Sequence, residues 1–260
     1  MTEKQFQFYK SWFADYTQSF YTANTDEQKN ILLKEQHTFN VCRNITEISK
    51  SLNLIEEEIN LAESVALFHD IGRFPQLKKY KTFRDSISVN HGLLGADVLL
   101  ESNILSMLPK RESEIIIRSV KYHNALKIPN LKDEKSLFFL KLIRDADKLD
   151  IWRIFLEYFN DKKDMGSAAG LDLPDTQEYT GGLLDNIYKK EIISLSKIAN
   201  LNDFKILQIS WVFDLNFRIS FELFQKRDYI KLLSTVPPTA EIIEASAFIK
   251  EYIDNRIKNE

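Results

Sequence analysis

Apolar residues recur every three or four positions through most of the chain, and that spacing predicts helices. Phe6, Tyr9, Phe13, Tyr16 and Phe20 form an aromatic stripe on a first helix, read as core packing. Thr25-Asp26-Glu27-Gln28 has the form of a capping box and opens a second helix. One face of it carries Leu33, His37, Val41, Ile45, Ile48 and Leu52. Ile55 to Asp70 predicts a third helix with Ile59, Ala62, Ala66 and His69 in line. Gly72 is expected to stop it and Pro75 to prevent its continuation. Arg73 to Asn90 reads as a polar and aromatic loop. His91 starts the next helix, with Leu94 and Val98 behind it. Ile116, Val120 and His123 share a face of the helix after Pro109, which Pro129 closes. Leu140, Ile143, Asp147 and Ile151 repeat the pattern on a long helix from about Lys135 to Asn160.

Asp161 to Gly182 holds four of the seven glycines together with Pro174, and reads as a surface connection. Beyond it, Leu183 to Ile198, Asp203 to Phe224 and Ala240 to Ile257 are again periodic, and Pro237-Pro238 separates the last two. No strand alternation or hairpin turn interrupts this, so the expected class is all-α. Seven glycines and six prolines in 260 residues are too few for the turns of sandwiches, barrels or Rossmann sheets. A formal charge of −3 gives no reason to expect nonspecific binding to nucleic acid or membrane. The single cysteine, Cys42, excludes an internal disulfide and a multi-cysteine metal site, and is expected to be a small buried residue. No stretch reaches the length of a membrane span, and Met1 to Lys10 lacks the apolar core of a signal peptide. A soluble, cytoplasmic location is the expectation.

All four histidines fall into one series with two aspartates: His37, the pair His69-Asp70, His91, His123 and Asp147. Imidazole nitrogens and carboxylate oxygens on facing helices hold divalent metals. Any one of these histidines by itself is more often a hydrogen-bonded structural residue; the six together predict a metal site. Asp70 has an oxygen to offer each of two ions. His91 leaves an alternative open, in which it caps its helix, His123 faces the substrate as an acid, and a single ion is bound. Arg73, Arg144 and Lys148 are candidate phosphate ligands. Solvation or a helix-end charge is the alternative for each, and Arg144 has Asp145 or Asp150 as possible partners.

The run Ala66-Leu67-Phe68-His69-Asp70-Ile71-Gly72-Arg73 resembles the signature of the HD phosphohydrolase superfamily, an all-helical fold. His37, and Asp147 within Arg144-Asp145-Ala146-Asp147-Lys148-Leu149-Asp150, match its first His and last Asp. Asn90-His91-Gly92-Leu93-Leu94-Gly95 and Lys121-Tyr122-His123-Asn124 resemble the two further His segments of dinuclear members, cyclic-dinucleotide phosphodiesterases among them. The likeness runs from Leu33 to Trp152. It departs from the cyclic-dinucleotide group at Asn124 and at Ala125 to Leu131, where no Gly-Tyr-Pro occurs.

The resemblance implies an HD-like bundle with additional C-terminal helices packed on it. Its expected parts are an N-terminal helix in 1–24, a metal-binding core in 25–160, and a loop with C-terminal helices in 161–260. It places His37, His69, Asp70 and Asp147 around one ion, with Asp70 bridging to a second on His91 and His123. The ions implied are manganese, iron, cobalt, nickel or zinc. The reaction implied is hydrolysis of a phosphate ester or anhydride, in a nucleotide or small phosphorylated metabolite, by metal-activated hydroxide. Asp70, Arg73, Arg144 and Lys148 are the catalytic candidates. Two other classes stand beside it: a diiron oxygenase similar to myo-inositol oxygenase, which needs iron and consumes oxygen, and a noncatalytic regulatory module.

Overall fold

A computed structural model describes residues 1–161 and 173–259. Among them the regular elements are α-helices and 3-10 turns, with no strand. The helices are α1 (Glu3–Gln18), α2 (Thr25–Ser51), α3 (Glu56–Phe68), α4 (Arg73–Tyr80), α5 (His91–Glu101), α6 (Lys110–Tyr122), α7 (Glu134–Asp161), α8 (Asp185–Tyr188), α9 (Leu201–Ser210), α10 (Arg218–Lys226) and α11 (Ala240–Asn259). The chain divides into two units, and the division falls inside α7 after Asp150.

In the first unit α3 packs against α1, α2 and α6, while α5 lies on α4 and α6. The aromatic stripe of α1 makes its part of this core. Tyr9 meets Phe68 edge-on with ring centroids 5.5 Å apart, and Phe13 and Tyr16 meet Phe74 at 6.0 and 6.2 Å. Such pairs add about 0.5–1.5 kcal/mol each beyond the area they bury. The segment of α7 from Phe139 to Asp150 is buried almost all round, including the polar Arg144, Asp145, Lys148 and Asp150.

Several local expectations shift. The cap of α2 is Asn24 rather than Thr25: its Oδ1 accepts from the backbone N–H of Asp26 and Glu27. Gln28 instead accepts from the N–H of Thr22. A full capping box occurs at α1, between Thr2 and Gln5. Cys42 is half-buried rather than buried, with its thiol directed at the Glu63 carbonyl.

The largest change lies between Arg73 and Asn90. That expected loop contains α4 and a 3-10 turn at Asp85–Ile87. Pro75 sits in the first turn of α4, where no backbone N–H is needed, and so it starts a helix instead of blocking one. Gly72 is right-handed at φ −68° and is not a left-handed stop. Its lack of a side chain serves close approach: a Cβ there would lie 2.2 Å from the His91 carbonyl oxygen and 2.6 Å from the Gly95 nitrogen. Gly92 does the same on the other side of α5, where a Cβ would come within 2.9 Å of the Val120 and Lys121 carbonyls. These contacts bring the ends of α3 and α6 against the start of α5.

In the second unit a 3-10 turn at Tyr229–Thr235 contacts α9, α10 and α11, and α10 packs on α11. Trp152 donates its indole N–H to the Gln208 carbonyl and sets its ring edge-on to Phe224. The periodic run Leu183 to Ile198 yields only α8 and a 3-10 turn, with Lys190 left-handed at φ 57° between them. Asp203 to Phe224 likewise divides into α9, a 3-10 turn and α10. Of the connection expected over Asp161 to Gly182, residues 162–172 lie outside the described residues. Among the described residues no helix is long and apolar enough to cross a membrane.

Candidate metal centre

Each of the four imidazoles engages an oxygen through Nδ1 and turns Nε2 toward the others. His69 and His123 do so by one device: each is the residue just after its helix, α3 or α6. The last carbonyls of a helix have no intrahelical donor. The ring Nδ1 of His69 donates to Ala66 O at 2.6 Å, and that of His123 to Val120 O at 2.7 Å. His37, inside α2, and His91, first residue of α5, use carboxylates. The distances are 2.7 Å from His37 Nδ1 to Asp150 Oδ2 and 2.7 Å from His91 Nδ1 to Asp85 Oδ2.

The Nε2 atoms form two groups around Asp70. Its Oδ2 lies 3.7 Å from Nε2 of both His37 and His69. Its Oδ1 lies 3.4 Å from His91 Nε2 and 3.6 Å from His123 Nε2. Within the groups the Nε2 separations are 3.3 Å for His37 and His69 and 3.0 Å for His91 and His123. Asp147 joins the first group, with Oδ1 at 3.1 Å from His37 Nε2 and 3.7 Å from His69 Nε2. Two buried sets could hold an ion: His37, His69 and Asp70, and Asp70, His91 and His123.

The donor chemistry fits a divalent cation. A carbonyl oxygen only accepts, so Nδ1 of His69 and of His123 carries a proton, and Nε2 is the nitrogen left to offer a lone pair to a metal. In the second group the Nε2 atoms of His91, whose Nδ1 meets Asp85, and of His123 face each other beside an Asp70 oxygen. A metal ion complements that donor set.

The family model for the HD domain matches residues 35–152, a span that holds all six candidate ligand positions. Residues 35–152 are thus similar to an HD domain. No curated protein and no solved structure matches the chain.

Charge is distributed unevenly across the two groups. Burial pulls His37 down, but hydrogen bonds to Asp147 and Asp150 outweigh it and raise its pKa to about 9. Burial lowers His69 to about 4 against the pull of Asp70 and Asp147. Burial, aided by the Arg73 guanidinium, lowers His91 to about 3. Burial opposes ionisation of Asp70, yet Lys34, His69, His123 and Arg73 hold it well below the usual carboxylate range. Asp147 is held low in the same manner by His37 and His69. Asp85 falls to about 2, since His91 and Arg73 outweigh its burial.

Of the three cations expected at the site, Arg73 reaches a ligand carboxylate, with Nε 3.5 Å from Asp70 Oδ1. Its other end donates to Phe83 O, Gln76 Oε1 and Asp85 Oδ1. Arg144 is buried and donates to the carbonyls of His123 and Ala125, where the chain leaves α6. Lys148 donates to the Arg144 carbonyl.

Three residues escaped the sequence reading. Lys34 places Nζ 2.8 Å from Asp70 Oδ2. Its position three residues before His37, on the same helix face, was the available clue. Asp150 was weighed only as a partner for Arg144 and instead orients His37. Asp85, in a segment read as loop, gave no signal, because its partners come from α4, α5 and the end of α6.

Proposed function

We propose that the protein is a metal-dependent phosphohydrolase acting on a phosphate ester or anhydride, in a nucleotide or small phosphorylated metabolite of the cytoplasm. The observation that carries this is the sharing of Asp70: one carboxylate offers one oxygen to each of two buried histidine groups, inside a span similar to an HD domain. Divalent ions bound there supply Lewis acidity, bringing the pKa of coordinated water toward neutrality and offsetting phosphate charge. Imidazole-rich sets suit manganese, iron, cobalt, nickel or zinc.

The chain's own residues do the rest. Asp70 fixes the spacing of the two groups. Lys34 on Oδ2 and Arg73 on Oδ1 put one positive charge at each edge of that carboxylate, where an anionic substrate can meet them. Arg144 and Lys148 act at one remove, holding the main chain beside His123 and along α7.

The test is phosphate release from a panel of phosphate esters and nucleotides, before and after chelation and with manganese restored. Activity lost on chelation and regained with manganese is expected. Oxygen consumption by iron-loaded protein, with no phosphate released from any ester, would replace the hydrolase by a diiron oxygenase.

A further inference from the structure

We propose that Asp85 is the positioning residue of the second ligand group, and that this carboxylate, carried on a 3-10 turn, decides whether His91 and His123 hold an ion. The inference rests on the two-group metal reading above and adds that the groups depend on different supports.

Asp85 accepts from every side. His91 Nδ1 lies 2.7 Å from Oδ2 and 3.0 Å from Oδ1, and the His91 backbone N–H adds a contact at 3.4 Å. Arg73 and Gln76 of α4 donate to Oδ1 at 3.0 and 2.9 Å. Asn124, next to the ligand His123, donates to Oδ2 at 3.1 Å. The partners are thus a candidate ligand, the neighbour of another, the guanidinium beside Asp70 Oδ1, and the Gln76 amide. His123 takes its orientation from a helix carbonyl, so His91 is the member of this group that depends on a side chain from outside the ligand helices.

Both Asp85 oxygens face donors, and a carboxylate alone satisfies them all. An asparagine must turn its NH2 toward one set. Facing Arg73 and Gln76, it sets donor against donor. Facing His91, it favours the tautomer with the proton on Nε2, which closes that nitrogen to a metal. The Asp85 side chain is 29% exposed, so the change leaves the apolar core intact.

The experiment is titration of metal-stripped protein with cobalt(II), read by bound-metal stoichiometry. It is paired with nitrogen NMR of the His91 tautomer in the metal-stripped protein. Wild type is expected to bind two ions with His91 protonated at Nδ1. Asp85→Ala and Asp85→Asn should keep one ion at wild-type affinity and weaken the other by about 10–100-fold. In Asp85→Asn the His91 proton should move to Nε2, and Asp85→Glu should recover part of the lost affinity. If Asp85→Ala does not fold, Asp85→Asn with its thermal transition carries the measurement. Two ions at wild-type affinity in the Asn variant would overturn the proposal, as would equal weakening of both. Failure of the wild type to bind cobalt at all would overturn the metal reading itself, and is seen before any variant is made.

Discussion

Asp150 and Asp85 hold their histidines at the same distance, 2.7 Å, yet come from different kinds of structure. Asp150 stands on α7 with its side chain 1% exposed, and Asp85 on a turn with 29% exposed. The imidazoles they orient also differ in charge. His37 sits between two carboxylates and is raised to about 9, whereas His91 sits near the Arg73 guanidinium and is lowered to about 3. The same orienting bond therefore goes with opposite protonation in the two rings. One hydrogen bond to a carboxylate orients each ring; burial and the other groups around the pair, a second carboxylate at His37 and a guanidinium near His91, decide the protonation.

The largest expected effect comes from removing what the two groups share. Asp70→Ala should lose both ions and cut turnover on the order of a thousandfold, since several kcal/mol of transition-state stabilisation go with them. Elemental analysis and phosphate release measure this, and an ion kept by either group would show that group to be independent of Asp70.

Next in size is Asp150→Ala. It should weaken the first ion by about 10–100-fold. It should also cost about 1–3 kcal/mol of stability, because it strands a buried His37 donor. Thermal denaturation beside Asp85→Ala checks the contrast in burial: equal losses of stability would remove it.

The smallest effect is protonic. The folded pKa of His37 lies above the ordinary 6.5, so its contribution to stability is full below 6.5 and is lost as pH rises through about 9. His69 and His91 lie below 6.5, so theirs is present above 6.5 and is lost as pH falls through about 4 and 3. The stability these three histidines add to metal-stripped protein should peak near pH 6.5. At pH 7, His37 should give up about one proton when the first group fills, and His91 close to none when the second does. Calorimetry in buffers of different ionisation enthalpy reads the difference, and equal release from both groups would erase it.

The candidate ligand series was legible because all six positions fall on helices or within two residues after one, where the 3.6-residue period marks the inward face; His91, opening α5, was marked by the run behind it. The all-helical class followed from the same period and the scarcity of breakers. Misreadings arose where one residue type serves two purposes. Pro75 ends helices from inside but begins them from the first turn. Gly72 suggested a left-handed stop, while its use is contact between main chains. Lys34 showed its helix face but not its partner, and Asp85 showed neither, because which carboxylate or imidazole a charge meets is decided by packing between segments distant in sequence.

The two glycine contacts at α5 have a consequence for redesign. At Gly72 and Gly92 main-chain atoms oppose main-chain atoms, and no rotamer change relaxes such a contact. The frame that spaces His69, His91 and His123 is thus set by the backbone, while the ligands themselves are side chains and can be exchanged. Trading His123 for a carboxylate would shift preference toward harder, oxygen-seeking ions with the frame unmoved. An alanine at position 72 would do the reverse, leaving every ligand in the sequence and moving the frame that makes them a set.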